Sequence, residues 1–373
     1  MHGNDGLALY VHWPFCVSKC PYCDFNSHVR ETIDQAAWRE ALLKDLAWEA
    51  EACPGPPLAS IFFGGGTPSL MAPATVAALI EAAERHWGFA PNPEITLEAN
   101  PSSVEAARFA DLAAAGVNRV SLGLQALDNA ALRFLGRAHD AAEGLAALEI
   151  AQQCFGRVSF DLIYALPDQS EAAWAAELGR ALGFGTGHLS LYQLTIEPGT
   201  RFAAMAARGE LAPRDPDEAA TLYELTQAKT AAAGLPAYEI SNHARPGEES
   251  RHNLAYWRYR PHLGVGPGAH GRRGSMATQR HRKPENWLTA LARNGHGLAE
   301  EIPLGAEEQA TEALLMGLRL SEGVALEAVR PQLDLAAVER LEARGLLARQ
   351  GGRLVVPPCG RLVLDAILAE IAL

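Results

Sequence analysis

Short runs of consecutive apolar residues alternate with longer Ala- and Leu-rich stretches of helical period along the first half of the chain. The apolar runs predict strands at 7–12, 60–64, 94–100, 119–124, 157–164 and 188–194, and the longer stretches predict helices at 34–52, 72–87, 103–115, 138–155 and 171–182. Repeated strand–helix units of this length imply a parallel sheet with crossover helices. Six units are too few to close an eight-fold barrel, so the expected fold is α/β, a partial (β/α)6 barrel of the TIM type.

The pattern changes after a Pro/Asp-rich break at 212–217. The stretch 238–271 is dense in histidines and aromatics, with Gly264, Gly266 and Gly268 marking backbone that something approaches closely. From 304 onward a helical pattern is followed by a second helix, a hairpin turning at Gly351-Gly352 and a last helix, which is a winged-helix-like order. The expected divisions are 1–212 for the barrel, 213–303 for a linker with the His/aromatic-rich region, and 304–373 for an α+β C-terminal domain.

Composition narrows the class. The chain is 48% hydrophobic, and 44 acidic against 32 basic side chains give a net charge of −12. That balance argues against a nucleic-acid surface, which needs a basic stripe, and turns the winged-helix pattern toward covering a protein or ligand. Six cysteines in 373 residues are not a disulfide framework. MHGNDG has no charged leader with an apolar stretch, and no run of 18 apolar residues occurs, so the expected location is cytoplasmic. Docking to a membrane surface and a cluster-bridged homodimer stay open.

The chemistry centres on LALYVHWPFCVSKCPYCDFN, where Cys16, Cys20 and Cys23 follow the first strand in a C-x3-C-x2-C run. Three thiolates on one tight loop can hold three irons of a [4Fe–4S] cluster and leave the fourth iron open. The competing reading, structural zinc, normally takes four ligands and two C-x2-C knuckles, and no second knuckle is present. Gly64-Gly65-Gly66-Thr67-Pro68 follows the second strand, and successive glycines let backbone approach a ligand. Glu98, Gln125, Arg137 and Asp161 fall at or near the ends of the next three strands, where barrels place their sites. Singly each is more often a satisfied polar group; together they make a cage for a zwitterion and a ribose.

The run HWPFCVSKCPYCDFNS resembles the radical S-adenosylmethionine (SAM) superfamily, most closely the oxygen-independent coproporphyrinogen III dehydrogenase family and its haem-chaperone relatives. The resemblance covers essentially the whole chain and implies the same partial barrel and C-terminal domain. It implies that SAM chelates the open iron, that Gly65, Gly66 and Thr67 hold its amino group, and that Glu98, Gln125, Arg137 and Asp161 contact it, flanked by Tyr10 and Tyr22. His252, Asn253 and Tyr256 have the H-N-x-x-Y form of the haem-chaperone branch, which makes His252 the expected haem ligand. In the dehydrogenase branch a SAM-derived radical oxidatively decarboxylates propionate side chains, the cysteine run continues C-x-C, and an N-terminal extension precedes it. Here Phe25 takes the place of that cysteine and Leu7 opens the barrel, both pointing to the chaperone. The expectation is a protein that binds haem and delivers it to respiratory haem proteins, with a flavodoxin or ferredoxin as electron donor and SAM cleavage left open. The alternative is the dehydrogenase itself; a plain electron carrier would leave the SAM cage idle.

Overall fold

The computed structural model describes residues 6–373, so the leader reading of MHGNDG falls almost wholly on residues 1–5, outside the described residues. Six parallel strands form the centre: β1 (Leu7–Trp13), β2 (Leu58–Gly65), β3 (Phe89–Ala99), β4 (Arg119–Gln125), β5 (Arg157–Tyr164) and β6 (His188–Gln193). β2 and β4 are buried along nearly their whole length, because parallel strands are covered on both faces and therefore read as continuous apolar runs. The intervening helices include α1 (Gln35–Ala52), α2 (Pro73–Trp87), α3 (Ala141–Cys154) and α4 (Glu171–Gly183). Their starts are written locally. Asp34 caps α1, proline opens α2, Asp140 and Glu143 form a capping box on α3, and Ser170 caps α4. The helix expected at 103–115 is two short ones, Ser103–Ala106 and Phe109–Ala114.

The sheet does not stop at six strands. α5 (Pro216–Ala232) supplies the sixth barrel helix, fixed by the buried bond from Trp174 Nε1 to Thr226 Oγ1 at 2.8 Å. β7 (Asn242–Ala244) then pairs antiparallel with β6. After α6 (Arg251–Trp257), β8 (His262–Val265) returns to the opposite edge and pairs parallel with β1. β9 (His270–Arg273), β10 (Met276–Arg280) and β11 (Leu298–Pro303) extend that edge as an antiparallel meander, with α7 (Pro284–Asn294) between the last two. The order is β11-β10-β9-β8-β1-β2-β3-β4-β5-β6-β7. The stretch 213–303, expected in part as a linker, thus builds both flanks of the main sheet.

The added flank is clamped to α1 by a buried charge cluster. Arg280 donates to Asp45 at 2.7 Å and to Glu49 at 2.6 Å, all three fully buried, and Asp45 also accepts the amides of Gly266 and Gly297 at 3.0 Å. Each charge is paired and bonded, the condition under which buried ions are tolerated. Trp38 stacks on Trp287 with ring centres 5.4 Å apart and meets Phe15 edge-on at 4.8 Å, which ties α1 and α7 to the start of the cysteine loop.

The C-terminal module has its own core around Leu314, Val338, Leu341, Leu354 and Ile367. α8 (Ala306–Gly317) and α9 (Leu335–Ala343) pack with a three-stranded sheet ordered β12 (Val324–Ala325), β14 (Arg353–Val355), β13 (Ala348–Gln350), followed by α10 (Leu364–Ile371). The β13–β14 hairpin turns at Gly351 and Gly352, at φ of 57° and 78°, the left-handed pair that a two-residue hairpin requires. At the far edge of the main sheet, β11 carries Glu300, Glu301 and a terminal Pro303.

Candidate functional site

β1 delivers the cysteine loop, and two short parallel pairings, Phe15 with His28 and Cys16 with Val29, close its base. The glycine segment after β2 fastens the loop from below. Gly66 N–H donates to Trp13 O at 2.7 Å and Thr67 N–H to Phe15 O at 2.8 Å. A Cβ on Gly66 would stand 2.6 Å from Phe15 O, so only glycine permits this approach. Thr67 Oγ1 lies 3.5 Å from Cys16 Sγ, and Arg137 Nη1 donates to Cys20 Sγ at 3.3 Å. Burial pushes the thiols of Cys16 and Cys23 up, so iron rather than the empty loop is what would turn them into thiolates. Among the described residues, no three His, Cys, Asp or Glu side chains converge on a single ion position. In a cubane each sulfur takes a different iron, so three thiols spread along one loop suit it. The donor set fits the cluster.

Beside the loop is a cavity of about 130 Å³ lined by Tyr22, Glu98, Gln125, Arg137, Asp161 and the 65–67 backbone. These expected residues are therefore brought together, though they come from strands and loops up to 139 positions apart in number between Tyr22 and Asp161. Glu98 Oε2 accepts from Gly65 N–H at 3.2 Å. With the amides of Gly65, Gly66 and Thr67 all engaged inside the chain, this segment meets a ligand through its carbonyls. Burial, with repulsion from Asp161, pushes the Glu98 carboxyl up to about 8. Burial likewise raises Asp161 to about 6, against the pull of Ser190 and Arg119. Glu98, held neutral at pH 7 for want of a cation, the raised carboxyl of Asp161 beside it, and the buried Arg137 Nε, which has no acceptor among the described residues, fit a zwitterion carrying extra positive charge, as SAM does. Gln125 sits at φ 68°, a left-handed conformation that costs a non-glycine residue energy and is held here at the cavity wall.

Asn100 was not among the expected residues. It lines the same cavity, donates to Thr67 Oγ1 at 3.1 Å and accepts from Arg137 Nη2 at 2.7 Å, so it joins the two groups that touch Cys16 and Cys20. Its signal was its place two residues after Glu98 at a strand end.

A second cavity of about 750 Å³ shares Phe25, Gly65 and Glu98 with the first and extends away from the cysteines. Tyr10 lines this cavity and not the smaller one, with its hydroxyl 3.0 Å from His12 Nδ1 and His12 Nε2 2.9 Å from Asn26 O. His252 also lines it, from α6. The short helix is held at its start by Ser250, whose Oγ accepts Asn253 N–H at 3.3 Å, and by Glu94, which accepts the N–H groups of Arg251 and His252 at 3.1 and 3.2 Å. Glu94 is itself buried and paired with Arg157 at 2.6 Å. His252 and Tyr256 are one helical turn apart, with ring centres at 5.0 Å, and Phe62 stacks on His252 at 4.9 Å. His252 Nδ1 meets Ser60 Oγ at 3.1 Å, while its Nε2 is buried with no partner among the described residues. Burial drives this imidazole down to about 3, so it is neutral across the physiological range and offers a lone pair. Ser60 and Glu94 give no local sequence signal, since both read as ordinary strand residues. The glycines 264, 266 and 268 turn out to be approached by the chain itself: a Cβ at Gly266 would meet His12 O at 2.4 Å, and one at Gly268 would meet the Asn26 amide at 2.3 Å. The C-terminal module adds Met316 and Arg319 to the wall.

Comparison with known proteins gives a consistent assignment. The family model for the radical SAM superfamily matches residues 10–178, and that for the HemN C-terminal domain matches residues 304–363. The mitochondrial radical S-adenosyl methionine domain-containing protein 1 of Mus musculus is 41% identical, over 97% of this chain and 86% of its own length. A heme chaperone HemW of Mycobacterium tuberculosis is 38% identical, over 97% of this chain and 94% of its own. Among solved structures, coproporphyrinogen III oxidase (HemN) from Escherichia coli, described as a radical SAM enzyme, superposes with a TM-score of 0.81 over 99% of this chain and 90% of that one, at 23% identity. That last likeness establishes the fold.

Proposed function

Because the chain belongs to the radical SAM superfamily, and within it to the group of the heme chaperone HemW and its relatives, we propose that it binds haem in the larger cavity and hands it to recipient haem proteins. The observation that carries this reading is His252: buried, neutral, held at Nδ1 by Ser60 and unpartnered at Nε2 on the wall of a 750 Å³ aromatic cavity. An imidazole in that state is what an iron porphyrin needs as an axial ligand: the Ser60 contact orients the ring, and with Nδ1–H donating to Ser60 Oγ the lone pair lies at Nε2.

In the smaller cavity, Cys16, Cys20 and Cys23 would hold a [4Fe–4S] cluster, and Glu98, Gln125, Arg137, Asp161 and the 65–67 carbonyls would hold SAM. When bound, the cluster supplies one-electron reduction beside the SAM sulfonium. The chain's own residues do the rest. Arg137 and Thr67 donate toward cysteine sulfurs, Glu98 loses its proton when a cation arrives, and Asp161 adds a second carboxylate beside it. Phe25 and Tyr22 cover the loop, while Phe25, Gly65 and Glu98 mark where the two cavities meet. Respiratory haem proteins as recipients, a flavodoxin- or ferredoxin-type donor and a cytoplasmic location belong to the same proposal. Among the described residues no helix is long and apolar enough to cross a membrane.

The test is anaerobic reconstitution with iron and sulfide, followed by haem titration read in the Soret band beside an assay for coproporphyrinogen III consumption. Saturable haem binding that His252→Ala abolishes, without porphyrinogen turnover, is the expected result. Turnover without specific haem binding would make the chain a porphyrinogen dehydrogenase instead.

A further inference from the structure

The larger cavity is polarised in charge along its depth. Its inner end holds the neutral His252 and two carboxyls that are already committed. Glu98 is held protonated up to about 8, and Glu239 is buried and accepts from Asn242 and Ser241. Its outer rim holds two arginines. Arg282 follows β10 and is exposed, and its carbonyl accepts from Asn26 Nδ2 at 2.9 Å, which fixes its backbone against the cysteine loop. Arg319 follows α8 in the C-terminal module and lies 5.9 Å from the ring of Trp257, itself a wall of the cavity. Neither guanidinium has a close, buried carboxylate partner among the described residues. No carboxylate lies within ion-pair distance of Arg282 among the described residues. The carboxylate recorded for Arg319 is Asp365 at 3.7 Å, 90% exposed, a separation and exposure at which pairing contributes little.

A cavity with an aromatic body, a buried imidazole at depth and two guanidiniums at the rim, one without a carboxylate partner among the described residues and one only loosely paired, is complementary to a flat apolar ring bearing two carboxylates on one edge. We infer that Arg282 and Arg319 are the carboxylate-binding edge of this site, each receiving one propionate of the porphyrin, so that the bound ring is held between the barrel and the C-terminal module. The inference rests on the haem reading above and adds the groups that select a porphyrin with free carboxylates and set its orientation. Guanidinium suits the task because it presents paired N–H donors to a carboxylate and keeps its charge at every working pH.

The cluster-reconstituted full chain is titrated with iron protoporphyrin IX and, in parallel, with its dimethyl ester, whose ring and iron are the same and whose edge carries no charge. For the diacid, Arg282→Gln and Arg319→Gln are each expected to weaken binding about tenfold, the scale of one charge-assisted hydrogen bond partly open to water, and the double variant more. For the diester, parent and variants are expected to agree within about twofold on the same reasoning. Hydrogen exchange supplies a readout that a merely structural role would not move: the diacid slows exchange over 306–320 in the parent, and the diester does not. Equal diacid binding by parent and double variant overturns the inference, as does equal weakening for both ligands. Failure of the underlying haem reading looks different, because then the parent binds neither ligand saturably, or His252→Ala binds both as the parent does.

Discussion

The two joined cavities are built in opposite ways. The smaller one is made where consecutive parallel strands end, so each wall residue is placed by the element that precedes it in the chain. The larger one takes residues from β1, β2, β3 and β6 and completes its wall with 239–242, α6, the β9–β10 pair and the end of α8, in an order that no local pattern would announce. The first is a property of the barrel. The second exists only once both flanks of the sheet and the C-terminal module are in place. Chemistry common to a superfamily can therefore sit in the first, while the second can be remodelled by changing edges and attachments.

Variants should separate the two. The largest effect is expected at the cysteines: Cys20→Ala should abolish cluster incorporation, measured as bound iron and sulfide. The partly exposed loop thiols contribute little to the core, so thermal stability of the apo chain should barely change. His252→Ala should leave iron–sulfur content at the parent level and remove the axial-ligand signature from the haem spectrum. If it also strips the cluster, the two cavities are one structural unit and the contrast fails. Ser60→Ala touches only the partner of that ring, and should weaken haem affinity by about tenfold, the lower end for a group that orients a metal ligand, in the same titration.

The smallest and sharpest test lies at Glu98, which borders both cavities. In the fold its carboxyl stays protonated up to about 8, whereas an unpaired glutamate ionises near 4.5. The folded apo chain therefore binds the extra proton, and this residue's contribution to stability is complete below about 4.5 and is lost as pH rises toward 8. Asp161 acts in the same direction between 3.8 and about 6. Melting temperature against pH should slope downward through this window in the parent and less steeply in Glu98→Gln. Binding of a cation such as SAM at pH 7 should release protons, seen by calorimetry in buffers of different ionisation enthalpy.

Much of the smaller cavity was legible because its residues sit on long, buried strands with one polar exception at the end. Glu98 in TLEANP and Gln125 in SLGLQ stand out for that reason. Asn100 escaped because an Asn before Pro101 reads as turn chemistry. The larger cavity was legible in the His/aromatic-rich stretch 238–271 and its motif at His252, Asn253 and Tyr256, and at Tyr10, which was expected beside the smaller one. Ser60 and Glu94 hold that histidine from strands far away in sequence, and no periodicity reports a contact across 192 or 158 positions. The flanking strands β7 to β10 have three to five residues each and sit among polar and glycine residues, so they read as connection. The glycines there spoke truly of close approach, but to the chain's own backbone.

The outer edges of the main sheet have a consequence for life at high concentration. An open sheet ordinarily presents its last strand as a template on which another chain can add. β7 is only three residues long, and β11 carries two adjacent glutamates and ends in a proline that cannot donate. Short, charged and interrupted edges resist such growth. The chain can thus keep a wide, aromatic cavity open to solvent without also inviting fibrillar stacking, and a partner protein is left to recognise it by side chains rather than by extending its sheet.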